Sequence, residues 1–365
     1  MNVGSLGTFW SDPNRVFDWE QNKVFLQRPG SVGNWPYIFV GWDSAWYLSI
    51  MEKGYAFSPQ SYTFSPGLPT LGAIFNIFFQ NPLAIIAVCS FVFGVLLVPL
   101  FQLLAEDYVG KKAALVAVLL FAFSPYLFVF TTVAYAEGLF LFLTLTAWCF
   151  LKRGKIAGPS LLAGFATLTR VMGILTILPL ICSSLKQKGK ARVRGVFLSS
   201  LPAVALAFWY LYCLFSASDI LAPVHTTEWS GLYTLPRFLF QDLPKMGFSA
   251  FYTIPLQNWP AIQHWLSPAV MIVGIFVPPF LIYRLAKMDK LLAGYSLVGY
   301  IGVLAFGAIV SYPRFISVLF PLWLPLVKNV NLDKKSLVFV GAVLAVFFVV
   351  SLDLWRSFLN GQFIA

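Results

Sequence analysis

Long apolar stretches, interrupted by short polar or basic segments, run through this chain from residue 82 to residue 354. A helix needs roughly 20 mostly apolar residues to cross a bilayer. The stretches that meet or approach this length are residues 82–104, 113–132, 135–151, 196–215, 266–283, 291–310, 315–327 and 336–354. Helices satisfy their own backbone hydrogen bonds, as a bilayer requires. The pattern therefore predicts an all-α, polytopic integral membrane protein with roughly eight full spans.

Three shorter apolar segments do not reach the length of a span. Residues 66–79 suit an interfacial or re-entrant helix, and residues 156–168 and 171–183 lie on either side of Arg170. We expect the last two segments to be half-helices that meet at Arg170, because each is too short to cross the bilayer alone.

The basic residues predict the orientation of these helices. Five loops hold 16 of the 25 lysines and arginines, within residues 111–112, 152–155, 186–194, 284–290 and 328–335. These loops share one side of the membrane only if both half-helices beside Arg170 start and end on that side. The positive-inside rule assigns this side to the cytoplasm. The net charge of +11 then follows from topology, and no nucleic acid is expected as a partner.

Composition narrows the class further. Hydrophobic residues make up 59% of the 365 and charged residues only 11%, which is far from an ordinary soluble domain. The four cysteines lie in apolar runs without paired spacing, so neither a metal centre nor a disulfide framework is expected. Residues 1–22 are polar and lack the apolar segment of a signal peptide. We therefore expect the chain to start in an outer-face loop without a cleavable signal or a first span.

A single transmembrane domain is predicted over residues 1–365. Within it, residues 1–63 form an outer-face loop, residues 64–215 the core spans, residues 216–265 a second outer-face loop, and residues 266–354 the C-terminal spans. The second loop is rich in tryptophan and proline and is expected to pack at the membrane interface.

Several charged residues remain on the outer side once the basic loops are assigned to the cytoplasm. Asp43, Glu137, Arg170 and Arg314 come from separate segments that are predicted to reach the same face. Charges at membrane depth are costly and usually face a cavity or a binding site. We therefore expect these side chains to contribute to one functional site.

Asp43 has the most distinctive surroundings of these residues. It lies between Trp42 and the aromatic pair Trp46 and Tyr47. A carboxylate in an aromatic setting at a bilayer surface suits the binding of a polar head group and the removal of a proton from it. Asp43 could instead cap a helix that begins at Ser44, since aspartate is a favoured N-cap residue.

Five short motifs resemble, in order, those of a known enzyme family. They lie at residues 41–48 with 54–55, 64–69, 124–125 with 134–137, 168–173, and 312–315 with 320–322. The family is that of the second mannosyltransferase of glycosylphosphatidylinositol (GPI) synthesis and its prokaryotic relatives. Each motif alone is weakly specific, but the preserved order covers most of the chain from residue 41 to residue 325.

The resemblance implies a glycosyltransferase of the GT-C type, which is a multi-span helical bundle with half-helices and an outer-face catalytic loop. Such an enzyme would transfer a hexose, expected to be mannose, from a polyprenyl-phosphate or dolichyl-phosphate donor. The acceptor would be a lipid-linked glycan, a glycolipid or a protein, and the transfer would invert the anomeric centre. The active site would face the extracytoplasmic or luminal side of a cell membrane or an endoplasmic-reticulum-type membrane.

This chemistry assigns roles to the charged residues. Inverting transfer needs a base that deprotonates the acceptor hydroxyl, and Asp43 is the candidate catalytic residue. The leaving phosphate needs charge stabilisation, which arginine supplies through bidentate contacts. Arg314, and after it Arg170, are the candidate donor-phosphate ligands. Arg314 could instead snorkel to the interface, and Arg170 could cap the half-helix junction or pair with Glu137.

Further candidates for substrate binding are aromatic or polar residues near the predicted outer face. They are Trp42, Trp46, Tyr47, Glu137, His225 and Trp229. The aromatic ones are equally compatible with an interfacial belt, Glu137 with a helix start, and His225 with a structural role in its loop.

No metal or other cofactor is required by the sequence, and the lipid-phosphate sugar would be a co-substrate. The expected partners are membrane lipids, polyprenyl-phosphate mannose and the acceptor, and a small membrane subunit is a further candidate. The alternatives are a transporter or lipid flippase and a non-catalytic subunit of a glycosylation complex. A transporter would place its charges near the bilayer midplane and show repeat symmetry. In a non-catalytic subunit, Asp43→Asn would leave activity intact in the presence of its partners.

Overall fold

The computed structural model describes residues 39–41, 43–225, 240, 243–246, 261–306, 311–328 and 333–359, of which residues 243, 246 and 261–272 are described by their backbone alone. The predictions for the first 38 residues, for Trp42 and Trp229, and for most of the loop at residues 216–265 lie outside these ranges.

Helices make up the regular structure throughout the described part of the chain, which contains no strand. The first half of the α-helices comprises α1 (Asp43–Lys53), α2 (Gly67–Phe79), α3 (Pro82–Val109), α4 (Lys111–Ala122), α5 (Pro125–Thr132), α6 (Glu137–Lys152), α7 (Ala157–Thr169), α8 (Ile177–Leu185) and α9 (Gly189–Ser199). The remainder comprises α10 (Leu201–Ala217), α11 (Ala222–His225), α12 (Leu243–Met246), α13 (Ala261–Ala286), α14 (Lys290–Phe306), α15 (Tyr312–Ser317), α16 (Leu324–Val327) and α17 (Lys334–Leu359). Short 3₁₀ helices cover Tyr55–Phe57, Pro59–Thr63, Val171–Thr176 and Phe320–Trp323. The all-α prediction is confirmed.

Within the described ranges, three helical segments are long and apolar enough to cross a membrane. They are α3, the nearly continuous pair α9 and α10 from Gly189 to Ala217, and α17. The pair α4 and α5 adds a fourth span if it is counted as one, although it is bent by 67° at its break. Together with their apolar surfaces, these segments define an integral membrane protein.

Prolines explain where the helices differ from the predicted spans. The bend between α4 and α5 lies at Ser124, whose backbone is extended because Pro125 follows it. The prediction of one span at residues 315–327 is wrong, because these residues are divided among α15, the 3₁₀ helix at Phe320–Trp323 and α16. A proline opens each of these pieces at its first or second position, where its missing N–H is tolerated.

The chain breaks at Arg170, as the two short apolar segments predicted. Helix α7 ends at Thr169, Arg170 is extended with φ −148° and ψ 136°, and the 3₁₀ helix Val171–Thr176 follows. Gly173 makes the turn possible, because a Cβ atom there would lie only 2.3 Å from the backbone nitrogen of Thr167. The side of the membrane on which this turn lies stays a prediction.

The largest part of the core lies among α3, α4, α6 and the C-terminal helices, where Phe101 and Phe121 stack with ring centroids 4.2 Å apart. A second cluster joins α1 and α2 to the starts of α3 and α6 through Tyr47, Leu68 and Leu139. This second cluster places the start of α1 beside the start of α6.

Candidate active site

Four charged side chains from four separate segments meet where α1 and α6 begin and α7 ends. The Nη2 atom of Arg314 donates to Oδ2 of Asp43 at 2.8 Å, and its Nε atom donates to Oε1 of Glu137 at 2.5 Å. The Nη1 atom of Arg170 donates to the same Glu137 oxygen, also at 2.5 Å. We call this alternating arrangement of Asp43, Arg314, Glu137 and Arg170 the charged row. The structure thus brings together the four charged residues that the sequence was expected to place on one face, whereas the side of the membrane stays a prediction.

The charged row is most buried at Glu137 and most exposed at Asp43. The Glu137 side chain is 0% exposed, Arg314 8%, Arg170 15% and Asp43 28%. Buried charges persist only when they are paired and hydrogen-bonded, and the row supplies both conditions. The second carboxylate oxygen of Glu137, Oε2, is buried and has no hydrogen-bond partner among the described residues.

Aromatic rings enclose the guanidinium of Arg314. Its central carbon lies 4.5 Å from the centroid of the Phe130 ring and 4.7 Å from that of Tyr135, with Phe315 at 5.7 Å. Contacts of this kind stabilise a cation that has lost its water. The Tyr135 hydroxyl also accepts a hydrogen bond from the backbone N–H of Asp43 at 3.3 Å. Tyr135 therefore contacts the guanidinium of Arg314 and the backbone of Asp43.

Close backbone packing positions Glu137 at the start of α6. A Cβ atom at Gly94 would lie 2.1 Å from the carbonyl oxygen of Thr131, and one at Gly138 would lie 2.9 Å from that of Ser90. The Ser90 hydroxyl donates to the carbonyl oxygen of Tyr135 at 3.0 Å. Small residues thus let α3 approach the start of α6 closely enough to bury Glu137.

A similar close approach positions Arg170. The start of α2 packs on the end of α7, where a Cβ atom at Gly67 would lie 2.5 Å from the Thr169 hydroxyl and 2.7 Å from its Cα. On the other side of the break, Gly173 packs on the backbone of Ala166 and Thr167. The Arg170 guanidinium also lies 5.3 Å from the Phe315 ring. These contacts hold the extended residue in place, and the predicted pairing of Arg170 with Glu137 is confirmed.

The two described aromatic candidates next to Asp43 are buried. Trp46 is 5% exposed and stacks on Phe64 at 5.4 Å, and Tyr47 is 5% exposed and meets the same ring edge-on. A sugar could contact the stacked face of Trp46 only if Phe64 moved. Burial raises the pKa of the Tyr47 hydroxyl, and the negative charges of Glu137 and Asp43 raise it further. The positive charges of Arg170 and Arg314 act in the opposite direction but do not cancel this increase. Tyr47 therefore lies within the electrostatic field of the charged row.

His225 pairs with Asp219, which is not a member of the charged row. Its Nδ1 atom lies 2.9 Å from Oδ2 of Asp219, and its side chain is 59% exposed at the end of the short helix α11. The backbone N–H of Leu221, and then His225, lower the pKa of the Asp219 carboxyl. This geometry fits the structural alternative for His225, and a role in substrate binding stays a prediction.

Sequence reasoning missed the residues that enclose Arg314. Phe130 and Tyr135 contact its guanidinium, yet neither was a candidate. Tyr135 carried a usable signal because it lies two residues before Glu137 in one of the family-like motifs. Phe130 carried none, since phenylalanine in an apolar segment is the commonest kind of core residue. Among the residues whose positions are described, no group of three or more His, Cys, Asp and Glu side chains could hold a metal ion.

The fold and the site together define an integral membrane protein with a largely buried charged centre. Comparison with known families gives a match to the family described as Mannosyltransferase (PIG-V), over residues 32–194. The resemblance that the motifs indicated is thereby confirmed, and this segment relates the chain to that family. The matched segment contains Asp43, Glu137 and Arg170, whereas Arg314 lies beyond it.

Individual relatives agree with the family match. The chain is 31% identical to GPI alpha-1,6-mannosyltransferase 2 of Cricetulus griseus over 148 residues, which are 37% of this chain and 29% of the relative. It is 29% identical to the Mus musculus enzyme of the same name over 251 residues, which are 66% of this chain and 47% of the relative. The matched regions thus cover less than half the length of these relatives.

Two solved structures resemble the chain more distantly. The Archaeoglobus fulgidus oligosaccharyltransferase, in a complex with zinc and sulfate, gives a TM-score of 0.47 at 15% identity over 87% of this chain and 48% of that one. The same organism's enzyme with an inhibitory peptide and a dolichol-phosphate gives 0.46 at 14% identity, over 87% and 51%.

Proposed function

We propose that this protein is a membrane glycosyltransferase of the GT-C type. It would transfer mannose from a polyprenyl-phosphate or dolichyl-phosphate donor to a hydroxyl of a lipid-linked glycan, a glycolipid or a protein. The observation that supports this proposal most directly is the charged row, in which Asp43 at the edge of the protein pairs with a buried arginine. Three members of the row, Asp43, Glu137 and Arg170, lie in the segment that matches the mannosyltransferase family, and this match supports mannose as the transferred sugar.

Asp43 is the proposed general base. It is the most exposed member of the charged row, so an acceptor hydroxyl can reach it. In an inverting displacement the hydroxyl oxygen attacks the anomeric carbon as Asp43 takes its proton. The bond between that carbon and the phosphate oxygen breaks, and its electron pair leaves with the lipid phosphate. The new glycosidic bond forms on the opposite face of the sugar.

The arginines are the proposed phosphate ligands. The departing lipid phosphate is a monoester with a charge of roughly −1.5 to −2 near pH 7, so it needs cations more than it needs a proton. Arg170 uses one of its nitrogens for Glu137, and Arg314 uses two for the carboxylates. The remaining N–H groups of the two guanidiniums are the proposed donors to the phosphate.

The extracytoplasmic or luminal location of the site follows from the positive-inside rule. Lys152, Arg153 and Lys155 lie where α6 ends and α7 begins. Glu137 starts α6 and Arg170 follows the end of α7, so this basic segment lies at the opposite helix ends from the charged row. An acceptor carried on a lipid or a protein would approach the exposed side of Asp43, and a small membrane subunit could assist its binding.

A transfer assay tests the proposal. Membranes that contain the wild-type protein should transfer labelled mannose from polyprenyl-phosphate mannose to one of a panel of acceptors, and Asp43→Asn should abolish that transfer at matched expression. The control is Glu52→Gln, which removes an exposed carboxylate from the same helix and should leave transfer unchanged. Absence of transfer by the wild type across sugars and acceptors would instead favour the transporter or non-catalytic subunit.

A further inference from the structure

We propose that the donor phosphate binds in the place that the Asp43 carboxylate occupies on Arg314, and that this exchange releases Asp43 to act as the base. The inference rests on the proposed function and specifies where its donor binds. The position in question is that of the Asp43 carboxylate, which accepts from Nη2 of Arg314 at 2.8 Å.

Charge balance is the first argument for an exchange. The row contains two carboxylates and two guanidiniums, so its formal charge is zero. A phosphate that entered beside all four groups would add a net negative charge to a site whose inner members are almost inaccessible to water. Uncompensated charge in such surroundings is strongly unfavourable. Departure of one carboxylate would restore the balance for a donor phosphodiester, which carries one negative charge.

Burial and bonding decide which carboxylate can leave. Glu137 is fully buried, and one of its oxygens accepts hydrogen bonds from both Arg170 and Arg314. Asp43 is 28% exposed and its carboxylate is held by Arg314. It is also the first residue of α1, so rotation of its side chain leaves the hydrogen bonds of that helix unchanged. Asp43 is therefore the exchangeable member, and Glu137 is the permanent one.

The two arginines are close enough to bind one phosphate. Nε of Arg314 and Nη1 of Arg170 each lie 2.5 Å from the same Glu137 oxygen, so they are at most twice that distance apart. Two guanidiniums at this separation can both donate to a single phosphate group, and charge-assisted bonds of this kind are the strong ones. Glu137 is thus a positioning residue that holds the arginines side by side.

The exchange would couple donor binding to base activation. The Asp43 oxygen that accepts a hydrogen bond from Nη2 of Arg314 is not available to the proton of an acceptor hydroxyl. Asp43 would therefore become an effective base only after the phosphate has taken its partner. We expect the donor to bind before acceptor activation, which would protect the empty site from unproductive proton transfer.

The test is the affinity of the purified protein for farnesyl phosphate, a short polyprenyl phosphate, with uncharged farnesol as the reference ligand. Asp43→Asn should bind farnesyl phosphate more tightly than wild type, on the order of tenfold, because a competing charge-assisted bond is removed. Asp43→Ala should do the same, and Glu52→Gln should match the wild type. Affinity for farnesol should be unchanged in all of them. Equal or weaker binding of farnesyl phosphate by both Asp43 variants would overturn the proposal.

Glu137→Gln separates exchange from simple electrostatics. Loss of any nearby negative charge would tighten phosphate binding, so a purely electrostatic effect predicts tighter binding in Glu137→Gln as well. The exchange predicts the opposite sign, since Glu137 holds both arginines. Similar tightening in the Asp43 and Glu137 variants would therefore count against it. If Glu137→Gln does not fold, equal or weaker binding of farnesyl phosphate by both Asp43 variants would still overturn the proposal.

The two proposals fail in different ways. Tighter binding by Asp43→Asn without mannose transfer by the wild type would support the exchange and reject the enzyme assignment. Transfer by the wild type with unchanged binding by Asp43→Asn and Asp43→Ala would support the enzyme and reject the exchange.

Discussion

The Nε atom of Arg314 and the Oε1 atom of Glu137 lie 2.5 Å apart, although 177 residues separate them in the chain. Arg170 donates to the same oxygen, so one buried carboxylate orients two arginines. A guanidinium bound through Nε still presents its two terminal nitrogens, and Arg314 uses one of these for Asp43. The Arg314 side chain therefore links the buried Glu137 to the more exposed Asp43.

Glu137→Gln should destabilise the protein as well as inactivate it. Removal of one partner from a buried ion pair typically costs about 3–5 kcal/mol, because the remaining charges lose their compensation. We expect a lower midpoint of thermal unfolding in detergent and no mannose transfer. Glu137→Asp should recover part of the stability, since the charge is kept. The matched control is Glu52→Gln, and a Glu137→Gln variant as stable as that control would contradict the structure.

Gly67→Ala and Gly173→Ala should both displace Arg170. A Cβ atom at either position would overlap the backbone at the end of α7, and such overpacking costs roughly 1–3 kcal/mol. We expect reduced stability and weaker farnesyl phosphate binding in both variants. Gly158→Ala is the matched control, because it lies in α7 with nothing within 4 Å of the new methyl group. Equal effects of all three substitutions would show that α7 does not pack as described.

Arg314→Lys should behave as a loss rather than a conservative change. Arg314 donates to two carboxylates from two different nitrogens, whereas lysine offers one ammonium group. Loss of one charge-assisted hydrogen bond corresponds to roughly ten- to hundredfold in rate or affinity. Arg170→Lys should retain more transfer, because Arg170 makes one such bond to Glu137. The measurement is the initial rate of mannose transfer, and the reverse order of activities would contradict these roles.

Tyr47→Phe should make the protein less sensitive to alkaline pH. Burial raises the pKa of the Tyr47 hydroxyl, so the stability linked to it is complete below the usual tyrosine value of about 10. That stability is lost as the pH rises from this value through the folded-state pKa. We expect the unfolding midpoint of the wild type to fall more steeply above pH ~10 than that of Tyr47→Phe. Tyr62→Phe, whose ring stacks on Tyr55, is the control, and equal slopes for wild type and Tyr47→Phe would refute the assignment.

Much of the architecture could be predicted from local patterns. The apolar stretches predicted a helical membrane protein, and the two short segments beside Arg170 predicted the break there. Prolines account for the largest error, since the stretch at residues 315–327 was long and apolar but is divided into short helices. Hydropathy averages over such positions, whereas each proline removes one backbone donor and changes the direction of the chain.

The members of the candidate site were also predictable, but their arrangement was not. Charged residues stand out in an apolar chain, so Asp43, Glu137, Arg170 and Arg314 were recognised individually. The burial of Glu137 and its shared oxygen had no local signal. Arg314 pairs with Asp43 across 271 positions of sequence, and the enclosing Phe130 is an ordinary apolar residue until the helices pack.

By itself, the sequence determined the membrane class, the helical content and the identity of the charged residues, because these depend on composition and local periodicity. Only the tertiary structure decided that Glu137 is the buried centre, that Asp43 is the exposed end, and that Arg314 joins them. The reason is physical. Ion pairs of this kind form where close backbone packing at Gly94, Gly138 and Gly67 brings distant segments together, and the energy of each pair depends on its distances and burial.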